Sequence, residues 1–211
     1  MQQRTRQMWQ KQDQHHEVVG DRRRLFQVVG EHISPERVLY PGSYVDLSPS
    51  FVFPNVAYVD IDKRANAFFE DQDGIRELIR ESAASPKQPQ VAFIHADYTS
   101  DLGLADASFD LLVSLYAGFV SEACTDALRI GGTLLVNSSH GDVAMADLDP
   151  RYQLAGVIQH RSGAYKISAT NLDSYLIPKK PQQLTRSSLH RSGRGVAYSK
   201  PAFAYLFTRI G

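Results

Sequence analysis

The chain has 211 residues, with 43% hydrophobic and 22% charged residues, and Lys+Arg balance Asp+Glu at 23 each. That is ordinary for a soluble globular chain with a sizeable core, and the balanced charge excludes a strongly basic or acidic protein whose net charge alone names its partner. One cysteine, Cys124, excludes an internal disulfide, and no apolar run approaches the roughly 20 residues that span a bilayer.

Residues 1–14 are polar and Gln-rich, a frayed tail or the start of a polar helix, without the apolar core of a signal peptide. A cytoplasmic location is the expectation. Val18, Val19, Leu25, Phe26, Val28, Val29 and Ile33 recur at helical spacing, which predicts a helix over 15–33, and His15-His16 reads as its solvated surface. Ser34-Pro35 stops it, because a residue before proline avoids the helical region. Residues 1–33 are thus a helical extension, and 34–211 read as the main domain of a single-domain chain.

Strands are predicted at 37–40, 56–60, 90–95, 109–115 and 133–137, alternating with helices at 63–70, 74–82 and 121–128. Arg129-Ile130-Gly131-Gly132 reads as the C-terminal stop of the last of these helices. The alternation predicts parallel strands with right-handed crossovers. After Ser138 the pattern changes. Segments 152–160 and 164–168, joined by Arg161-Ser162-Gly163, read as a hairpin, 172–176 as a short helix and 202–209 as a last strand.

The chemistry-bearing residues lie at the strand ends. Tyr40-Pro41-Gly42-Ser43 follows the first strand, Asp60-Ile61-Asp62 ends the second, and Asp97-Tyr98 follows the third. A glycine turn after one strand and an acid at the end of the next is a layout that holds a nucleoside. The turn lets backbone approach, and the carboxylate accepts from ribose hydroxyls. Each residue type also has a plain structural use, as a turn glycine or a helix-capping acid. His140, in Asn137-Ser138-Ser139-His140-Gly141-Asp142, follows the fifth strand and could be a general base or a surface histidine. A lone Cys124 without nearby His or acid spacing argues for no metal site.

Val38–Ser43, Tyr58–Asp62, Ile94–Tyr98, Ala107–Val113 (ASFDLLV) and Leu128–Val136 (LRIGGTLLV), in this order, resemble class I S-adenosylmethionine (SAM)-dependent methyltransferases. The resemblance implies a doubly wound, mostly parallel seven-stranded Rossmann-like sheet with an antiparallel terminal hairpin. It implies SAM as cofactor and S-adenosylhomocysteine as product. By position, Tyr40, Gly42 and Ser43 would line the cofactor loop, Asp60 or Asp62 would take the ribose, with Ile61 between them, and Asp97 and Tyr98 would meet adenine. Leu115 and Tyr116 would border the transferred methyl, Tyr116 and His140 being the candidate catalytic residues. The family's loop carries an acid and further glycines, where this chain has Tyr40, Tyr44 and Asp46. Asp46 is the candidate to replace the missing acid on the SAM amino group.

No Asp-Pro-Pro-aromatic or Pro-Cys motif is present, so a small-molecule acceptor is favoured over nucleic acid. Beyond Asp173 the chain has no acid but carries Lys179, Lys180, Arg186, Arg191, Arg194, Lys200 and Arg209, which, with Arg4, Arg6 and Arg22–Arg24, could attract an anionic acceptor. Segment 187–199 reads as a flexible lid. The alternative function is a catalytically silent methyltransferase-like domain that binds a nucleoside or a partner. A nicotinamide enzyme is disfavoured by the missing glycine fingerprint.

Overall fold

The computed structural model describes residues 2–82, 85–181 and 183–211, with backbone alone at 17–19, so the expected packing of Val18 and Val19 lies outside the described side chains. It divides into two compact units, residues 1–102 and 103–211.

The first unit begins with two helices, α1 (Gln3–Val19) and α2 (Arg22–Ile33). The single expected helix is broken at Gly20, whose φ of 135° has left helical geometry. Asp21 then restarts the chain by accepting from the Arg24 amide at 3.0 Å. Leu25, Phe26 and Val29 form the buried stripe of α2, and the helix ends at Ile33 as Ser34 turns left-handed. His16 is a correction: it is 4% exposed, while its neighbour His15 is exposed.

Strands β1 (Arg37–Pro41), β2 (Asn55–Asp60) and β3 (Gln90–His95) pair in parallel in the order β3-β2-β1. Helices α3 (Lys63–Phe69) and α4 (Gln72–Arg80) lie on the crossover, capped by Asp62 and Asp71. The register stacks one aromatic column: Tyr40 opposite Tyr58, and Tyr58 opposite Phe93. Phe69 enters it from α3, 4.8 Å from Tyr58 and 4.6 Å from Phe93. Offset aromatic contacts of this kind add to burial.

The second unit holds β4 (Phe109–Ser114), β5 (Leu128–Val136), β6 (Tyr152–Arg161), β7 (Ala164–Ser168) and β8 (Ala204–Arg209) in the order β4-β5-β8-β6-β7. Only β4 and β5 are parallel; β8 runs antiparallel to β5 and β6, and β6–β7 is the expected hairpin. The described strands therefore number eight, against the seven of the family plan. Leu111 to Val113, Leu134 to Val136 and Leu206 to Phe207 are nearly or fully buried, which explains their unbroken apolar runs.

Two local expectations are corrected here. The helix over 121–128 shrinks to α5 (Val120–Ala123) and a 3₁₀ turn, Thr125–Ala127. Gly131-Gly132 lies inside β5 as a bulge, because the pairing with β4 jumps from Phe109–Leu128 to Leu111–Thr133. Gly131 takes a φ of 77°, and a Cβ on Gly132 would stand 2.7 Å from Leu128. Helices α6 (Asp142–Leu148) and α7 (Arg186–Ser192) complete the unit. Part of the expected lid is thus α7, closed by a Thr185–Ser188 capping box and fixed by buried Leu189.

Candidate functional site

In the first unit the candidate cofactor loop is tied down by its own backbone. Gly42 has a φ of 67°, a conformation that favours glycine, and its amide donates to Val59 O at 2.8 Å. The Tyr44 amide donates to Asp60 Oδ2 at 2.6 Å and the Asp62 amide to Asp60 Oδ1 at 2.8 Å. Asp60 is therefore oriented by two amides at the end of β2 while remaining partly exposed. A carboxylate offers about four acceptor positions, so each oxygen can take a further donor.

Ile61, next to it, is 66% exposed. Asp62 is occupied otherwise: it caps α3 and pairs with Arg64 at 2.7 Å, whose hydrogen bonds hold its pKa down at about 2. Asp97 accepts from the Thr99 amide at 2.9 Å and the Thr99 hydroxyl at 2.8 Å. Those bonds lower its pKa, and it stands exposed with half-buried Tyr98 beside it. Ser43 is buried.

Asp46 is a correction. It is 2% exposed, accepts from the Tyr40 hydroxyl at 3.1 Å and the Ser48 amide at 3.0 Å, and lies 3.7 Å from His16 Nδ1. Its carboxylate braces the loop from within, on Tyr40 and Ser48. Tyr40 is likewise buried, and burial drives its pKa well above the usual phenol value, so it stays a donor to Asp46.

In the second unit, Leu115 is buried and Tyr116 is 52% exposed after β4. Tyr116, Phe119 and His140 all carry positive φ, at 61°, 55° and 57°. Such strain persists only where surroundings hold it, and it gathers at functional loops. Two residues hold it here. Asn137 Oδ1 accepts from the Tyr116 amide at 3.2 Å and the Ser139 hydroxyl at 2.9 Å, linking the loops after β4 and β5. Asp142 is fully buried, and its carboxylate accepts from the hydroxyls of Ser114 and Ser121 and from the Ser121 amide. Burial raises its pKa against those bonds. His140 itself is exposed, with Nδ1 3.1 Å from the Ser139 hydroxyl.

Sequence reasoning did not single out Asn137 or Asp142. Both stand in the segment quoted around His140, and a short polar residue closing a strand was the available signal. Four arginines of the expected basic cap are engaged within the fold. Arg186 pairs with Glu122 at 3.0 Å and Asp149 at 2.9 Å, and Arg209 donates to Thr125 O at 2.8 Å. Arg22 is buried, and Arg23 lies 4.0 Å from the Phe51 ring and pairs with Asp13. Among the described residues no group of three or more His, Cys, Asp or Glu could hold a metal, and no helix is long and apolar enough to cross a membrane.

The fold is α/β, with eight described strands. No family model matches the chain, and no curated protein does. Among solved structures it is similar to a ribosomal protein L11 methylase from Lactobacillus delbrueckii subsp. bulgaricus, at 10% identity over 90% of this chain and 77% of that one, with a TM-score of 0.49. An O-methyltransferase from Bacillus cereus in complex with SAH matches at 10% identity over 69% and 77%, with a TM-score of 0.48. The [4+2]-cyclase SpnF matches at 19% identity over 55% of this chain, with a TM-score of 0.42, and the chain spans only 44% of that protein's length.

Proposed function

We propose that the chain binds SAM through the Tyr40–Asp62 region and transfers its methyl to a small-molecule acceptor. The observation that carries this reading is Asp60. Two backbone amides aim its carboxylate, and it keeps partial exposure at the end of β2, next to the left-handed Gly42 turn. Asp60 would accept the two ribose hydroxyls, Ile61 would lie against the adenine, and Asp97 with Tyr98 would border the ring. The acceptor atom would attack the sulfonium methyl in line. The sulfur–methyl bond breaks as the new bond forms, S-adenosylhomocysteine leaves, and a base takes the acceptor's proton where it has one. Positioning supplies most of such a rate enhancement. In the second unit, Tyr116 and His140 are the catalytic candidates that the resemblance names.

A second reading, a nucleoside-binding domain without catalysis, is favoured by the loop's backbone. Pro41 has no amide, and those of Gly42, Tyr44 and Asp46 are spent on Val59, Asp60 and Ser43. Few donors remain for the carboxylate of the methionine end.

Calorimetric titration with S-adenosylhomocysteine tests the first step. Micromolar binding by the wild type, lost in Asp60→Ala with unchanged far-ultraviolet circular dichroism, supports the cofactor site. No binding by the wild type refutes it. Binding of the product combined with no methyl transfer to any member of an acceptor panel favours the silent domain.

A further inference from the structure

We infer that the first unit carries an anion-binding site for a small phosphate ester or carboxylate, separate from the ribose-holding acid. A cavity of about 590 Å³ opens between one face of α1, Tyr44 and Arg64. That volume lies within the range of ordinary small-ligand pockets. Arg4, Lys11 and His15 line it from α1 at positions i, i+7 and i+11, which share one helical face. Met8 and Gln12 lie between them on the same face.

The neighbouring face of α1 is committed to packing. Thr5, Trp9 and His16 are buried, Trp9 stacks on Phe51 at 5.4 Å, and Arg6 is paired with Glu77 and Glu81. The helix is therefore docked with its cationic face turned to the cavity.

Among the described residues no acid lines the cavity. Arg64 is shared with Asp62, but Arg4 and Lys11 make no ion pair among the described residues. Two permanent cations without a carboxylate partner among the described residues, facing a concave surface, favour a ligand bearing negative charge. The opposite wall is the Tyr44 ring, with the Arg64 guanidinium 5.3 Å from its centroid. A ring and a thioether beside a cationic edge suit a ligand with a flat apolar part and one charged end. Tyr44 also donates its amide to Asp60, so the site and the candidate cofactor loop share one residue. The inference does not rest on methyl transfer.

The test is isothermal calorimetry of the full chain with phenyl phosphate, benzoate and phenol, repeated on Arg4→Gln/Lys11→Gln. Both substituted residues are exposed, and an unchanged thermal midpoint checks that the fold survives. Phenyl phosphate or benzoate should bind the wild type with a salt-sensitive Kd, phenol should not bind, and the double variant should raise Kd about tenfold or more. The tighter of the two anions identifies the source as a phosphate ester or a carboxylate. Absence of binding by both anions at millimolar concentration overturns the site, as does an equal Kd in the double variant.

Discussion

The Tyr44 amide donates to the Asp60 carboxylate at 2.6 Å, so the acid proposed for the ribose also closes the loop before it. Asp60→Ala strands two amides, those of Tyr44 and Asp62. We expect a stability loss of about 2 kcal/mol, read from urea unfolding, because buried or half-buried amides without acceptors are costly. An unchanged midpoint would mean that the loop stands without Asp60.

Asp142 plays the corresponding part in the second unit. Its carboxylate gathers Ser114 and Ser121, at the end of β4 and the start of α5, on either side of the strained Tyr116 and Phe119. Asp142→Ala leaves three donors without their acceptor and should destabilise the protein by about 3 kcal/mol. Asp142→Asn keeps the shape and one acceptor oxygen, and should lose less. Equal losses in the two variants would show that shape and a single acceptor oxygen count for nothing, and that the full carboxylate is what Asp142 supplies.

His16 gives a pH dependence. Burial lowers its pKa from 6.5, and this outweighs the upward pull of Asp46 nearby. The folded state therefore prefers the neutral ring, while the unfolded chain takes up a proton more readily. Its contribution is whole above the unfolded pKa near 6.5 and is lost as pH falls below that value and through the lowered folded pKa. The urea midpoint should drop between pH 7 and pH 5 in the wild type, and His16→Gln should flatten that slope. A slope that is the same in the variant would assign the dependence to other groups.

Cys124 should be inert. It is 5% exposed, and burial first, then the Asp142 charge, pushes its thiol up to about 12. The thiolate is the reactive form, so a disulfide reagent near neutral pH should label the protein only after denaturant is added. Rapid labelling of the native protein would contradict this placement.

The sequence by itself determined the strands and most of their order along the chain. Apolar runs such as Leu111–Val113 and Leu134–Val136 are local signals, as are the Ser34-Pro35 stop and the Arg161-Ser162-Gly163 hairpin. It also placed Gly42 and Asp60 at strand ends. Only the tertiary structure decided what those ends do. Asp46 reads in sequence as a free loop acid, but Tyr40, Ser48 and His16 enclose it, and two of those partners come from β1 and from α1, thirty residues upstream. Gly131-Gly132 looks like a helix stop until pairing with β4 makes it a bulge. The cationic face of α1 is a list of polar residues in a Gln-rich segment until Trp9 and Thr5 are buried and the opposite side of the helix is turned toward Tyr44. Short-range pattern carries backbone preference and periodicity. The partners of a charged side chain come from distant segments, and they settle whether it braces the fold or meets a ligand.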